Sequence, residues 1–149
     1  MRPVRWRDSK PWSALRTSNE DQLRPWEPTA TGDWALRHQP GNWFPLYNGL
    51  RSEARRGAMI PLVIEVDGQY RGQLTIGNIV RGPLQSAWIG YWVDRQVTGG
   101  GVATAALALG VDHCFGPAGL HRVEATVRPG NAASRAVLAK AGFREEGLL

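Results

Sequence analysis

The most informative stretch of this chain runs from Ile89 to Ala108 and reads Ile-Gly-Tyr-Trp-Val-Asp-Arg-Gln-Val-Thr-Gly-Gly-Gly-Val-Ala-Thr-Ala-Ala-Leu-Ala. The apolar, aromatic and β-branched run from Trp88 to Val93 predicts a strand. A polar turn and three glycines follow, and the Ala-, Leu- and Val-rich segment from Val102 to Val111 predicts a buried helix. At such a junction, free backbone N–H groups and the positive end of the helix face outward. The junction is therefore a candidate anion site.

The spacing of the glycines indicates which phosphate ligand the junction suits. No Gly-Lys-Ser or Gly-Lys-Thr is present, so the phosphate loop of nucleoside triphosphatases is excluded. The dinucleotide pattern Gly-x-Gly-x-x-Gly is unmatched, because Thr104 stands where the third glycine is required. The sequence Gln96-x-x-Gly99-x-Gly101-x-Ala103 instead resembles the acetyl-CoA pyrophosphate loop of the GNAT acyltransferases. Taken alone, these positions equally suit a glycine-rich turn that binds no ligand.

A second motif lies roughly thirty residues further along the chain. Asn131-Ala-Ala-Ser134, a short helical stretch and Gly142-Phe143 resemble the second GNAT signature, Asn-x-x-(Ala/Ser) followed by Gly-Phe. Asn131 is also expected to cap the helix and Gly142 to end it. Because the two motifs have the order and the separation of the family, the chain is identified as a member of the GNAT superfamily.

The resemblance implies an acetyl-CoA site between two parallel strands that splay apart. In this family the strand before the glycine loop offers backbone groups to the pantetheine arm, and the helix N-terminus takes the pyrophosphate. The N–H group of Val93 is expected to polarise the thioester carbonyl. The cofactor-binding positions implied by the resemblance are Tyr91, Trp92, Val93, Asp94, Gln96, Val97, Thr98, Gly99, Gly100, Gly101, Val102, Ala103, Asn131 and Ser134.

Acetyl transfer also needs a group that assists the departing CoA thiolate. Many GNAT enzymes use a Tyr seven residues after the motif Asn, and this chain has Leu138 there. RimL-like enzymes carry a Ser at the position of Ser134, so Ser134 is the candidate catalytic acid, directly or through a water. The alternative is a first-turn serine that bonds only its own helix.

Glu124 is the candidate base, because strand alternation would put it on the same face as Thr126, where some relatives carry theirs. The alternative for Glu124 is an ion pair with Arg122 or Arg128. A water relay that ends on Glu124 or Glu27 could suffice for an α-amine. The α-amine has a pKa of about 7.7–8.0, against about 10.4 for the side-chain amine of Lys. Deprotonation of the α-amine is therefore roughly 3.5 kcal/mol easier.

Within the superfamily, the chain resembles the RimJ/RimL-like branch of ribosomal-protein-alanine N-acetyltransferases, the RimJ type in particular. The segments that carry this likeness are Pro25-Trp26-Glu27-Pro28, Ile89-Gly90-Tyr91-Trp92, His121-Arg122-Val123-Glu124 and Gly142-Phe-Arg-Glu-Glu-Gly147. The branch transfers acetyl from acetyl-CoA to a protein N-terminal amine, ribosomal proteins being the founding substrates. Trp26 and Glu27, held between prolines, are candidate substrate-binding residues; the alternative is a rigid connector with Trp26 over the core.

Two other functions stay open. One is acetylation of a small amine, such as an aminoglycoside, a polyamine or an amino acid, which an acidic acceptor pocket would favour. The other is a non-catalytic module that binds acyl-CoA or another protein, a possibility that the absent Tyr motivates. The acceptor stays open at this point, and so does the oligomeric state, which is a monomer or a homodimer.

The predicted fold is a single α/β domain, residues 1–149, with a mixed and mostly antiparallel twisted sheet and helices on both faces. Family members continue after Gly-Phe-x-x-Glu-Gly with further strands, so we expect those C-terminal strands to be missing from this chain. The predicted strands are the end of a first strand at Met1 to Arg7, a meander of Ile60 to Val66, Tyr70 to Val80 and Ala87 to Val93, and His121 to Val127 after the crossover helix. A first helix is predicted after Asp8, and a loop spans Arg24 to Ala30. A second helix is predicted from Asp33 to Arg56, with interruptions near Pro40 and Pro45.

The composition of the chain indicates its compartment and the kinds of partner that it binds. A single cysteine, Cys114, excludes a disulfide framework and fits a reducing compartment, and no apolar run reaches transmembrane length. The net charge of +5 is spread along the chain, so we expect no direct nucleic-acid binding and no membrane partner. The three histidines show no metal spacing, and no metal is expected. We expect a cytoplasmic protein.

Overall fold

The structure, a computed structural model, describes residues 1–27 and 31–149. Its centre is a five-stranded sheet in which the strands lie side by side in chain order. The strands are β1 (Arg2–Pro3), β2 (Ile60–Val66), β3 (Gln69–Val80), β4 (Ser86–Val93) and β5 (Arg122–Glu124). The helices are α1 (Ser9–Ser18), α2 (Glu20–Leu23), α3 (Trp34–Arg37), α4 (Trp43–Arg55), α5 (Val102–Phe115) and α6 (Ala132–Lys140).

The predicted meander is confirmed. Strands β2, β3 and β4 pair antiparallel, and β2 has the predicted bounds. Asp67 and Gly68 turn the β2–β3 hairpin with φ of 52° and 75°, the left-handed backbone that a tight hairpin turn requires. The register shifts between Ile64 and Glu65, opposite Gly72, which marks a β-bulge where a glycine interrupts the strand pattern.

The two parallel strands β4 and β5 pair over only three positions, from Ser86 with Arg122 to Trp88 with Glu124. Strand β5 is therefore shorter than the predicted span from His121 to Val127. Its pairing ends while β4 continues to Val93, and the chain leaves the sheet there. This separation of the two strands opens a cleft at the centre of the sheet.

Apolar side chains cover both faces of the sheet, as the alternation of strand residues requires. On one face, Ile64 and Ile89 pack in a cluster with Leu107 and the buried Cys114 of α5. On the other face, Val63 packs with Trp12 of α1 and with Trp43 of α4. Helices on both faces are thus confirmed. None of the helices formed by residues 1–27 and 31–149 has the length and apolarity needed to span a membrane.

The N-terminal segment differs from the predicted strand. Only Arg2–Pro3 pairs with β2, because a 3₁₀ turn at Trp6–Asp8 follows, and Trp6 stacks on Phe44 with ring centroids 4.3 Å apart. Asp8 stands at the predicted cap position of α1. Its carboxylate, however, accepts a 2.7 Å hydrogen bond from the backbone N–H of Arg5 rather than from α1.

The predicted helix from Asp33 to Arg56 is divided. Asp33 caps α3, and a 3₁₀ turn at Pro40–Asn42 separates α3 from α4, so the predicted break at Pro40 is confirmed. Pro45 does not interrupt α4, because it lies in the first turn, where its missing N–H group is not needed. In the predicted loop from Arg24 to Ala30, Arg24–Trp26 forms a 3₁₀ turn, and Pro28, Thr29 and Ala30 lie outside the described residues.

Candidate active site

A cleft of about 970 Å³ lies where β4 and β5 separate, bounded by the glycine loop, α6 and the turn that contains Trp26. Most of the residues that the sequence predicted for the site line it. They are Trp26, Glu27, Tyr91, Trp92, Val93, Val97, Thr98, Gly99, Gly101, Val102, Ala103, Asn131 and Ser134. Among the predicted residues, Asp94, Gln96, Gly100 and Glu124 do not belong to the lining.

The wall of the cleft formed by β4 has backbone groups that its sheet neighbours do not use. The N–H of Asp94 donates to the carbonyl of Arg71 on the β3 side, at 2.7 Å. Because successive residues of a strand alternate, the N–H and C=O groups of Val93 and Tyr91 point to the opposite side. There the pairing with β5 has already ended at Trp88. These groups face the opening, where they can bind the amides and the thioester of a pantetheine arm.

Gln22 confirms this direction of the Val93 peptide. The Gln22 side chain, which also lines the cleft, donates through Nε2 to the Val93 carbonyl at 3.0 Å. The contact holds the end of β4 from the helical layer and leaves the Val93 N–H as a donor toward the cleft. No local pattern in the sequence points to Gln22, because its partner lies 71 residues away.

The glycine loop leads from β4 into α5 and has room for a phosphate. Gly99 and Gly101 have φ of 79° and 81°, a backbone region that other residues rarely adopt. A Cβ atom placed on Gly99, Gly100 or Gly101 would meet nothing within 4 Å. Gly101 is the N-cap of α5 and has no side chain to occupy the first N–H groups of the helix. These features fit the predicted anion site.

A buried polar network fixes the start of this loop. Asn19, which is fully buried, donates to Asp94 Oδ1 at 3.0 Å and accepts from the backbone N–H of Arg95 at 2.9 Å. Arg71 donates to the other carboxylate oxygen of Asp94 at 2.8 Å. Burial works against ionisation of Asp94, but the hydrogen bonds from Asn19, from the Gln96 backbone and from Arg71 hold its pKa below the usual value. Asp94 therefore supports the loop from beneath instead of lining the cleft.

Ser134 lies at the mouth of the opened sheet, on the first turn of α6. Asn131 caps this helix as predicted, its Oδ1 accepting from the Ser134 N–H at 3.1 Å. The Ser134 hydroxyl lies 2.9 Å from the hydroxyl of Tyr91, so this side chain bonds across the cleft. Leu138, at the position where many GNAT enzymes have a Tyr, is buried and lines the same cleft. Only the backbone of Tyr91 was predicted to take part in the site, and its hydroxyl group was not.

Glu124 forms the ion pair that was the alternative to a role as base. Its Oε1 accepts from Arg122 Nε at 2.6 Å, more than half of its side chain is exposed, and Arg122 also binds Glu146. Thr126 lines the cleft and Glu124 does not, although both lie on the exposed side of the alternation that runs from Arg122 to Arg128. Sharing a side of the chain with Thr126 does not bring Glu124 into the cleft, since its carboxylate pairs with Arg122 at the surface.

The opposite wall of the cleft contains Trp26 and Glu27. Glu27 Oε1 accepts from Arg16, whose guanidinium is buried between the rings of Trp34 and Trp92 at 4.8 Å and 5.2 Å from their centroids. The side chain of Glu27 remains about one-third exposed, at 32%. Trp26 is 40% exposed and lines the cleft.

Arg128 ties this wall to the loop before α6. Its guanidinium donates to the carbonyl of Pro25 at 3.0 Å and to that of Glu27 at 3.4 Å. Arg128 itself lines the cleft. The turn that contains Trp26 is thus held from both sides, by Arg128 through its backbone and by Arg16 through Glu27.

Comparisons with known proteins agree with this geometry. Residues 1–144 match the family model of the acetyltransferase (GNAT) domain. The chain is 60% identical to Mycobacterium smegmatis RimJ, solved in complex with CoA-disulfide, with a TM-score of 0.97 over 99% of this chain and 71% of that one. It is 25% identical to the ribosomal protein uS5-alanine N-acetyltransferase of Escherichia coli, over 99% of this chain and 75% of that protein.

A shorter alignment relates the chain to the probable N-acetyltransferase YjcK of Bacillus subtilis. The two are 45% identical over 82 residues, which are 55% of this chain and 45% of YjcK. The aligned region thus spans about half the length of that relative. Because the family model matches nearly the whole length of this chain, the chain belongs to the GNAT acetyltransferase family.

Proposed function

We propose that this chain transfers the acetyl group of acetyl-CoA to the α-amine of a protein N-terminus, with a ribosomal protein as the acceptor. The observation that carries the proposal is the opened β4–β5 pair, which leads into a glycine loop with free helix N–H groups in a chain of the GNAT family. The 60% identity to a RimJ protein and the similarity to an enzyme that acts on ribosomal protein uS5 support the choice of acceptor.

The cofactor occupies the cleft in the following way. The pyrophosphate binds the N–H groups at the start of α5, over the space that the glycines leave open. The pantetheine arm runs along β4 and uses the peptide groups of Tyr91 and Val93. The thioester then lies near Ser134, where the two strands separate.

The chemical step needs a neutral amine. Its nitrogen attacks the thioester carbonyl carbon, a C–N bond forms, and the carbonyl oxygen becomes an oxyanion that accepts from the Val93 N–H. When the oxyanion collapses, the C–S bond breaks and the sulfur leaves with the bonding electrons. The Ser134 hydroxyl stabilises the thiolate by a hydrogen bond. The amine proton passes to water, and the thiolate takes a proton from water.

Glu27 replaces Glu124 in this proposal as the carboxylate that meets the acceptor. Among the described residues that line the cleft, Glu27 is the one carboxylate. Its Oε1 accepts from Arg16, and its side chain is about one-third exposed, so the carboxylate is accessible to an incoming amino group. Trp26 and Trp92 add apolar surface for the first residues of a peptide. One carboxylate does not make the acidic pocket that polyamines and aminoglycosides require, which favours the N-terminal acceptor.

The test is acetyl-CoA turnover, measured as free thiol, against N-terminal peptides of ribosomal proteins, lysine peptides and small amines. We expect turnover with the α-amine peptides, and at least a tenfold lower kcat for Ser134→Ala with little change in the KM for acetyl-CoA. Turnover confined to small amines would replace the proposed acceptor. Acetyl-CoA binding in calorimetry without transfer to any amine would indicate a binding module.

The reaction is proposed to take place in the cytoplasm. A single buried cysteine, Cys114, is consistent with a reducing compartment. We propose that the chain works as a monomer or as a homodimer.

A further inference from the structure

We propose that the hydroxyl of Tyr91 is a positioning group for Ser134, which directs the Ser134 hydroxyl hydrogen toward the leaving sulfur of CoA. The inference rests on the proposed acetyl transfer and extends it by one residue. Tyr91 takes no part in bond making. It acts through Ser134, and its absence would leave the serine free to make a different hydrogen bond.

The strand geometry puts the two hydroxyl groups together. Tyr91 packs with Ile89 and Val93 against the cluster that contains α5, while Trp92 belongs to the cluster on the other face of the sheet. Tyr91 therefore extends toward α6, and its Oη lies 2.9 Å from Ser134 Oγ and 3.4 Å from the Ser134 carbonyl oxygen. Both side chains are partly buried and line the cleft.

The direction of this hydrogen bond follows from the chemistry of the two groups. A phenol is more acidic than an alkyl alcohol and is the stronger donor, so the Tyr91 O–H donates and Ser134 Oγ accepts. The single hydrogen of the serine hydroxyl is then available for a third atom in the cleft. Burial raises the pKa of Tyr91, so the phenol keeps its proton at neutral pH and can act as the donor.

The alternative partner of Ser134 explains why a positioning group is needed. A serine in the first turn of a helix commonly donates to a nearby backbone carbonyl, such as that of Gly130 four residues earlier. In that rotamer the hydroxyl hydrogen bonds the backbone carbonyl and is not available to the leaving sulfur. The bond with Tyr91 favours the rotamer in which the oxygen faces β4 and the hydrogen faces the thioester.

The first test is a double-mutant cycle of Tyr91→Phe and Ser134→Ala, with kcat measured on an N-terminal peptide. Tyr91→Phe keeps the ring and removes only the hydroxyl. We expect it to lower kcat about tenfold with an unchanged acetyl-CoA KM, and to have no further effect in the Ser134→Ala background. The matched control is Tyr47→Phe on α4, outside the cleft lining, which should match wild type. An equal loss in both backgrounds, or no loss in either, would overturn the inference.

A second test does not depend on finding the acceptor. In Ser134→Cys, the pH dependence of alkylation by iodoacetamide gives the pKa of the introduced thiol, and protein with Ser134 intact gives the background from buried Cys114. A donor hydroxyl stabilises the thiolate, so this pKa should be roughly one unit lower with Tyr91 than with Tyr91→Phe. Equal pKa values would contradict the contact. If wild type acetylates no amine, the proposed function fails, and the thiol measurement still decides whether Tyr91 acts on residue 134.

Discussion

Gly72 leaves no room for even one methyl group, because β3 and β4 approach each other closely at this residue. A Cβ there would lie 2.2 Å from the carbonyl oxygen of Trp92 and 2.9 Å from the Cα of Val93. Both are backbone atoms, so the strands themselves would have to separate. We expect Gly72→Ala to lower the free energy of unfolding by about 1–3 kcal/mol or more, measured by urea denaturation.

The matched control for Gly72→Ala is Gly49→Ala. Gly49 is exposed within α4, and an added Cβ would meet nothing within 4 Å. Alanine is the better helix former, so this change should raise stability by about 0.5–1 kcal/mol. Equal stabilities of the two variants would show that the close approach at Gly72 does not exist in solution.

Single residues were predictable from the sequence where the requirement is local. Gly72 interrupts a strand pattern, and Asn131 precedes a helical one, so their roles were visible in a few neighbouring letters. The bond between Tyr91 and Ser134 joins residues 43 positions apart, and the bond between Asn19 and Asp94 spans 75. Neither leaves a signal in a local pattern, since only the folded sheet brings the partners together.

At the scale of elements, the glycine loop makes a prediction about the affinity for acetyl-CoA. Gly101→Ala would put a Cβ into the space proposed for the pyrophosphate, on a residue with φ of 81°. We expect the Kd for acetyl-CoA, measured by calorimetry, to rise tenfold or more. The left-handed backbone adds a stability cost of about 1–2 kcal/mol.

Gly82→Ala separates the two effects of that change. Gly82 has φ of 76°, equally open surroundings and no place in the cleft lining, so alanine there brings the same backbone strain without reaching the ligand. This variant should lose similar stability and keep the wild-type Kd. If both variants bound acetyl-CoA like wild type, the loop would not be the pyrophosphate site.

The network beneath the loop gives a second prediction at this scale. Asn19→Ala removes a donor from the buried Asp94 and an acceptor from the Arg95 N–H. A buried polar group without a partner costs about 1–3 kcal/mol, so we expect a lower Tm and weaker acetyl-CoA binding as the loop loses its support. Asn48→Ala, on the exposed face of α4, is the control and should change neither quantity. Wild-type Tm and Kd for Asn19→Ala would mean that the network does not support the loop.

The elements themselves were predicted with uneven success, for a physical reason. The bounds of β2 followed from its β-branched run and the Asp67-Gly68 turn, both of which are local. The length of β5 depended on where its partner β4 diverges, a property of two strands, so the prediction of His121 to Val127 was too long.

At the scale of the whole molecule, the order of the meander and the crossover was visible in the sequence, and the packing of the N-terminal helices was not. Turn residues and the glycine loop separate β2, β3, β4 and β5 in the sequence, so their order could be predicted. The helices before Ile60 instead pack by contacts among tryptophans. Trp12 lies against Trp43, and Trp34 donates through its indole N–H to the Arg16 carbonyl. Such contacts have no periodic pattern, because each depends on two or three helices at once.

His38, at the centre of this N-terminal layer, makes the stability of the molecule depend on pH. Its ring is buried, with centroids 4.3 Å from Trp34 and 5.4 Å from Trp12, and its Nδ1 lies 2.8 Å from the Trp34 carbonyl oxygen. Burial lowers the pKa of His38. The Trp34 carbonyl opposes this shift, and the charge of Arg16 adds to it.

The lowered pKa of His38 means that the folded protein binds a proton less readily than the unfolded chain, in which the histidine has a pKa of about 6.5. As the pH falls below that value, the unfolded chain takes up the proton first, so the free energy of unfolding must decrease. We expect stability in urea to be level from pH 8 to 7 and to decline from pH 6.5 to 5. Asp94, whose pKa is also lowered, contributes a loss only below about pH 4, so the two effects separate.

His38→Asn tests whether His38 causes this decline. The asparagine amide can still donate to the Trp34 carbonyl but does not titrate. The variant should be less stable than wild type at pH 7.5, because it loses the ring contacts, yet its stability should be level between pH 7 and 5. A decline of the same slope in the variant would assign the pH dependence to another group. A level curve in wild type would mean that the ring accepts a proton in place, which its burial among Trp12, Trp34 and Arg16 opposes.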